Sequence, residues 1–456
     1  MSSTLLDSSR GQKQQMLFHE NKIIFVWSLT NLLVVMNTTM FNIAIPFVLN
    51  DFSLSSSTAS WLVSGYSIMF AVSTMTFSRL SDFIPISRLL VYGISLFGAA
   101  SAIGFFSHHF FGLLAARIAQ AAGAGSAMGL SMVLSGRYIP LERRGKSLAI
   151  IASSASLAFG LGPVLGGLIT EHLGWRYLFV LSGMAVFSLP FFLKWLPKER
   201  IEKGTFDFAG AMLTGFSVTA ILLFLSTFSL FFLAAAAVLF ALWRMRLHRV
   251  EKPFIPPVLL RNKQYVKLLF IGSSAFFINF SNLFLMPILL TSVFEKEPSA
   301  TGFIIFPGAI LAVIAGQFIG RLIDRFGAAP LLFFGQCSLF LAAVLFALLS
   351  TLDSWYVLFS YLFASVGFTA VTSSNSNEVT RILPKAQIGS GAGILQMMQF
   401  FGGGLGVTIS GLLLTMQESF SARAVYQNIY LCFAFVIIAA AIVFFYYQRN
   451  LKKERV

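Results

Sequence analysis

Arg117 is the one basic residue placed well inside an apolar run, which extends over 110–136. A charge there is expensive and by default faces a polar or water-filled interior, so it marks a substrate or ion pathway. The alternative is an arginine near a membrane face that snorkels outward, since the short polar tip His108-His109 lies only a few residues away. Two acids stand at matching places: Arg79-Leu80-Ser81-Asp82 recurs as Arg321-Leu322-Ile323-Asp324, each time in a short polar gap between long apolar runs. With loop arginines such as Arg88 and Arg325, or with helix termini, Asp82 and Asp324 can latch two helices in one state of a rocking cycle. Either acid alone reads as an ordinary solvated charge. Glu378, beside Asn375 and Asn377, comes nearest to a membrane-embedded acid. It reads equally as a proton carrier and as an interfacial acid near Arg381. Other chemistry is absent. Five histidines and the lone Cys337 and Cys432 show no ligand spacing, and no nucleophile–base set occurs. Metal, cofactor and enzyme readings are therefore disfavoured.

The elements that hold these residues follow from composition. Of 456 residues, 57% are hydrophobic and 11% charged, and mean hydropathy is +0.82. A soluble domain carries about 25% charged residues, so lipid must be the solvent for most of this surface. Apolar runs long enough for about 30 Å of hydrocarbon fall at 23–49, 58–78, 88–107, 110–136, 146–170, 175–195, 207–225, 228–246, 265–290, 301–320, 329–350, 354–378, 388–414 and 425–448. These 14 runs are too long for barrel strands, and only helices otherwise satisfy the backbone in lipid. The fold class is all-α integral membrane. Between Asp207 and Arg244 lie 36 uncharged residues, too long for one helix across a bilayer, so a hairpin with its tip near Ser226-Thr227 is expected.

Orientation comes from the basic residues. With 14 spans, the side holding both termini carries 28 of the 32 Lys and Arg; Arg176, Lys296 and Arg423 lie opposite. Both termini are expected in the cytoplasm of a cell with this chain in its plasma membrane. The net charge of +15 is spread over loop clusters with no basic helix face, which argues against nucleic acid. The first 22 residues are polar, and the next run is too long for a secretory signal.

The repeat of the acidic loop has an offset of 242, and other features keep nearly the same one. Arg137-Tyr138-Ile139-Pro140 matches Arg381-Ile382-Leu383-Pro384 at 244, as Gly145, Gly160, Gly162 and Gly167 match Gly389, Gly404, Gly406 and Gly411. Asn42 and Pro46 have rough partners in Asn282 and Pro287. The chain divides into a six-helix bundle over 1–200, an inserted two-helix hairpin with a basic loop over 201–262, and a second six-helix bundle over 263–456. Parallel repeats of this kind are one plan for transporters.

At these residues the chain resembles the major facilitator superfamily, and within it the fourteen-span drug:proton antiporter-2 group, which includes Gram-positive tetracycline exporters. Gly320, Leu322, Asp324 and Gly327 keep the loop pattern G-x-L-x-D-x-x-G well, while Ser78, Leu80, Asp82, Pro85 and Arg88 keep it loosely. Arg117-Ile118-Ala119-Gln120-Ala121-Ala122-Gly123 is similar to the family's R-x-x-Q-G-x-G, whose arginine is thought to influence protonation of nearby groups. Gly160, Gly162, Pro163, Gly166 and Gly167 look like the antiporter motif, read here as one close-packing stripe with a proline hinge. The resemblance covers essentially the whole chain. It implies two bundles that rock around a central site, with a small-molecule substrate and protons as partners in the bilayer, and a monomer is expected.

One departure bears on the substrate. The family's first span carries an acid in a D-x-T-x-x-N-x-A-x-P-like run, but here Asn37 takes its place ahead of Thr39, Asn42, Ala44 and Pro46. An amide does not titrate. Proton coupling would then fall to Asp82, Asp324 or Glu378, or be loose. A dication would lack a counter-charge, so a neutral, zwitterionic or anionic amphiphile suits Asn37, Asn42, Arg117 and Gln120. Gln396, Met397, Met398 and Gln399 form a plausible pocket segment, or plain helix packing. The expected function is export of a small amphipathic drug, tetracycline-like, by proton antiport. Export of an endogenous metabolite or lipid-like molecule is the alternative, and a non-transporting sensor or scaffold is disfavoured.

Overall fold

The computed structural model describes residues 20–454, apart from 82, 140, 198–205, 251–252 and 385–386. Its described secondary structure is helical throughout. The first set comprises α1 (Glu20–Phe52), α2 (Ser56–Leu80), α3 (Ile86–Phe105), α4 (Phe110–Tyr138), α5 (Leu141–His172), α6 (Tyr177–Gly183) and α7 (Leu189–Trp195). A hairpin follows, α8 (Phe208–Thr227) and α9 (Leu230–Arg249), then the short α10 (Pro257–Arg261). The second set is α11 (Lys263–Ser292), α12 (Pro298–Phe326), α13 (Ala328–Leu349), α14 (Ser354–Ile382), α15 (Ile388–Met416) and α16 (Ala422–Glu454). Among the described residues, 11 helices are long and apolar enough to cross a membrane. Helix starts are chemically marked: Ser55, Asp207, Asn262 and Asp353 each accept a backbone N–H of the helix they precede.

Packing partners repeat between the sets. In the first, α1 lies along α5, α4 packs on both α2 and α3, and α3 meets the α6–α7 segment. In the second, α11 lies along α15, α14 packs on both α12 and α13, and α13 meets α16. The sets join where α2 runs along α15, α5 along α12 and α1 against α11. The hairpin lies beside one of these seams, with α8 touching both α2 and α15. Asp207 ties its base. The carboxylate accepts from Gly210 N–H at 2.9 Å and Phe254 N–H at 3.0 Å, and pairs with Arg246 at 2.6 Å. Burial pushes this carboxyl up, but Arg246 and the two amides outweigh it and hold it below the usual carboxylate range.

Two details refine the expected spans. The run 175–195 is not one regular helix: a 3₁₀ segment, Met184–Ser188, separates α6 from α7. Pro190, in the first turn of α7, has no N–H to give and crowds the carbonyl four residues back. The hairpin turns at Phe228, which adopts left-handed φ of 51° between α8 and α9.

The structure also explains why the two acidic loops differ. In the second copy Gly327 alone separates α12 from α13, at φ 81° and ψ 167°, a region open essentially to glycine. In the first copy the link is longer, 81–85, and ends on Pro85 at φ −53°. Gly320, by contrast, has open space around the position of a Cβ. Gly327→Ala should therefore cost about 1–3 kcal/mol, whereas Gly320→Ala should be neutral or slightly stabilising. Thermal unfolding of the two purified variants in detergent checks this; equal midpoints would contradict it.

Candidate functional site

Arg117 is 1% exposed in the middle of the first helix set. Its Nη1 donates to Asn37 Oδ1 on α1 and to Gln120 Oε1 one turn along α4, both at 3.1 Å. Its guanidinium carbon lies over the rings of Phe41 and Tyr66, 4.2 Å from each centroid. Gln120 Nε2 donates to Ser101 Oγ of α3 at 2.7 Å, and Ser182 Oγ of α6 donates to Asn37 Oδ1 at 3.0 Å. Asn37 Nδ2 reaches Tyr66 Oη on α2 at 3.5 Å. Residues from α1, α2 and α4 thus surround one cation, and α3 and α6 hold two of its partners. No carboxylate pairs with it among the described residues, and its Nε has no partner. Amide oxygens and ring faces solvate a cation without neutralising it.

Three sequence-chosen residues, Asn37, Arg117 and Gln120, are therefore brought together; the others are not. Asn42 is buried five residues further on, which turns it away from Asn37 on the helix, and its Oδ1 is unpartnered. Gln399 is buried against Gly272 of α11, near Asn375, while Gln396 is half-buried. These belong to the second set, where Tyr361, buried, stands 244 residues after Arg117. The second set carries no copy of the guanidinium at that position.

Among the latch candidates, Glu378 is 3% exposed, pairs with Arg381 at 2.5 Å, and accepts the Tyr447 hydroxyl of α16. The pairing with Arg381 is the contact expected of an acid beside that arginine. Arg88, Arg321 and Arg325 are exposed, the last two lying over their neighbours Phe318 and Phe326. Asp82 and the side chain of Asp324 lie outside the described residues. Arg137, at the end of α4, donates to Ser81 O at 2.8 Å, gripping the residue before Asp82.

The glycine stripe needs correction. A Cβ on Gly162 or Gly166 would collide with Thr39 Oγ1 and Met40 O of α1, at 2.0 and 2.6 Å. A Cβ on Gly167 would meet Pro298 O of α12 at 2.3 Å, and one on Gly160 would touch Ala309 at 3.5 Å. The motif therefore forms two faces. Residues 160 and 167 return to one side of a helix after about two turns, while 162 and 166 lie nearly opposite. Pro163, at the turn between them, presents its carbonyl to Gly302 of α12.

The sequence reading missed Glu171. At the end of α5, just beyond the span, its Oε2 accepts the Ser299 N–H at the start of α12 at 2.9 Å. It thus caps the helix of the opposite set. Nearby, Ser57 N–H donates to Thr415 Oγ1 at 3.1 Å, and Ser64 Oγ donates to Gly404 O at 2.9 Å across the α2–α15 seam. The Glu171–Ser299 and Ser57–Thr415 bridges lie at the helix ends away from the Arg-Leu-x-Asp loops, and the Ser64–Gly404 bond lies further in. Tyr66, Phe41, Ser101 and Ser182 were also missed, because serines and rings in apolar runs usually pack or bond to their own helix.

Comparison with known proteins places this geometry. The Major Facilitator Superfamily model matches residues 27–407. The chain belongs to that superfamily. Its curated relatives include the riboflavin transporter RibZ of Clostridioides difficile, 26% identical over 364 residues, covering 78% of this chain and 80% of RibZ. The methylenomycin A resistance protein of Bacillus subtilis is 25% identical over 434 residues, covering 92% and 91%. Among solved structures, the peptide transporter POT with alafosfalin matches at TM-score 0.70 and 16% identity, covering 94% and 95%. At that identity the likeness concerns the fold alone. The chain is therefore a multi-pass membrane transporter, and Arg117 is a feature of its first helix set.

Two outcomes follow. Arg117→Lys keeps the charge but loses the planar fork that reaches Asn37 and Gln120 and lies over two rings. Transport in proteoliposomes should fall at least tenfold while the protein remains monodisperse; unimpaired transport would show that the fork is dispensable. Ser299's hydroxyl and backbone N–H hold the Glu171 carboxyl below the usual range. A depressed value means that the contact is intact at neutral pH and lost as pH falls through that value. Spin labels at positions 173 and 297 should report longer distances for Glu171→Gln at pH 7, and for the parent chain in acid. Superimposable distributions would contradict this.

Proposed function

We propose that this chain is a fourteen-span exporter of small amphipathic compounds that carry a neutral, zwitterionic or anionic head. The observation that carries the reading is the buried Arg117, held by amides and ring faces with no carboxylate partner among the described residues. A cationic drug entering such a site would meet like charge in a low-dielectric surround. An enolate, phenolate, carboxylate or imide would complete the coordination of the guanidinium. Relatives named for riboflavin transport and methylenomycin A resistance support this substrate range. A relative named multidrug resistance protein Stp, of Mycobacterium tuberculosis, supports drug efflux. Tetracycline-like antibiotics fit the same chemistry.

In this reading the domains are 1–200, 201–262 and 263–456, and both termini lie in the cytoplasm of a plasma-membrane monomer. The repeated packing of the two helix sets supports alternating access, with rocking at the α2–α15 and α5–α12 seams. Protons enter through acids that change partners. Glu378, with Arg381 and Tyr447, is the candidate coupling acid on the basic face, together with Asp82 and Asp324. Glu171 is the candidate on the opposite face. A second reading, export of an endogenous metabolite such as a flavin, is favoured by the riboflavin-transporting relative.

Purified chain in proteoliposomes, under an imposed proton gradient, tests both readings with riboflavin, tetracycline and a quaternary ammonium dye. We expect uptake of the first or second with counterflow of protons and little of the third. Transport of the dye alone, or transport without proton movement, would overturn the substrate or the coupling claim respectively. Asn37→Asp would place a carboxylate at the 3.1 Å contact with Arg117. It should lower anion transport and raise cation transport by about tenfold, the scale of one ~1.4 kcal/mol interaction. Unchanged selectivity in the folded variant would count against Arg117 as the selective charge.

A further inference from the structure

α1 and the broken α6–α7 span enclose a groove of about 500 Å³ on the outer surface of the first helix set. Phe25, Leu29 and Leu33 of α1 face Met184, Phe187 and Phe191 across it. Phe25 is 68% and Phe187 72% exposed, so no other helix among the described residues covers the opening. The cleft coincides with the 3₁₀ segment Met184–Ser188, where the span departs from regular α-helix. The hydroxyls along its walls are already engaged. Thr30 Oγ1 donates to Val26 O at 2.8 Å, and Ser188 Oγ donates to Ala185 O at 2.6 Å. The interior therefore offers an apolar trough, unsuited to a polar solute.

Charge appears only at one end. Lys22 and Trp195 stand at the mouth, with Lys22 Nζ 5.7 Å from the indole centroid. A lysine beside a tryptophan is the signature of the membrane–water interface. From Lys22 to Leu33 the helix rises about 16 Å, close to half of the ~30 Å hydrocarbon core. The trough thus has the depth of one leaflet, with a cation at headgroup level. We propose that it binds an anionic phospholipid of the leaflet at the basic face, with one acyl chain in the trough and the phosphate on Lys22.

The site is distinct from the Arg117 centre but ends beside it. Leu33 lies one turn from Asn37, and Met184 two residues from Ser182, whose hydroxyl donates to Asn37 Oδ1 at 3.0 Å. A lipid in the trough would thus set the spacing of two helices that hold Arg117, giving transport a lipid dependence independent of which compound is carried.

Native mass spectrometry of the purified full chain, after exchange into phosphatidylglycerol or phosphatidylcholine, tests the proposal. Phosphatidylglycerol should be retained in preference. Lys22→Gln should lower its retention about fivefold, the effect of one interfacial lysine, relative to Arg261→Gln, an exposed charge away from the groove. Leu29→Trp, which fills the trough from an exposed position, should lower phosphatidylglycerol retention with the thermal midpoint unchanged. Equal retention of both lipids, equal behaviour of Lys22→Gln and Arg261→Gln, or full retention by Leu29→Trp would each overturn it.

Discussion

A cation in hydrocarbon must be solvated by the protein or not be there. Arg117 meets that condition with fixed dipoles and ring faces drawn from α1, α2 and α4, while Ser182 of α6 holds Asn37 and Gln120 anchors the network to α3 through Ser101. Lipid provides little drive for one of these helices to prefer another. The convergence on one guanidinium gives the first helix set a specific internal arrangement. Among the described residues no carboxylate neutralises the charge, and the guanidinium Nε has no hydrogen-bond partner.

The second set is built on the same packing plan without that charge. Tyr361 stands at the position related to Arg117, and the buried polar groups there are amides and hydroxyls such as Asn375 and Gln399. Its acid, Glu378, lies towards the basic face and is already held by Arg381 and Tyr447. Among the described residues, the first set thus holds a cation without a carboxylate partner, and the second an acid paired with an arginine. Small residues make the seams between the sets possible. Gly167 and Gly302 let α5 and α12 approach until backbone touches backbone, and Glu171 then caps the facing helix. In lipid, where burial supplies no net pull, such close approach and its hydrogen bonds carry the adhesion.

Helical class, the approximate ends of the spans, the hairpin and the repeat could all be read from apolar run lengths and offsets, because lipid allows the backbone few choices. Asn37, Arg117 and Gln120 could be selected because polar groups in such runs are rare. The division of the glycines into two faces was available from helical periodicity but obscured by their shared motif. Glu171 was hidden for a different reason: it sits at a span end like any solvated acid, and its partner Ser299 is 128 residues away. Tyr66 and Phe41 were equally hidden among many aromatic residues, since a ring becomes a cation's partner only through position.

What the chain's sequence determined is a membrane-spanning helical chain with an internal repeat, one arginine well inside an apolar run, and Asn37 where the resembled family carries an acid. These are properties of composition, length and spacing, which local physics reads along a single helix. The tertiary structure alone decided which faces meet: the rings over Arg117, the two directions of the glycine motif, the bridge from Glu171 to α12, and the trough beside α1. Such contacts depend on distances between helices far apart in sequence. In a solvent that pulls no apolar face towards another, those distances are settled only when side chains from both helices fit together.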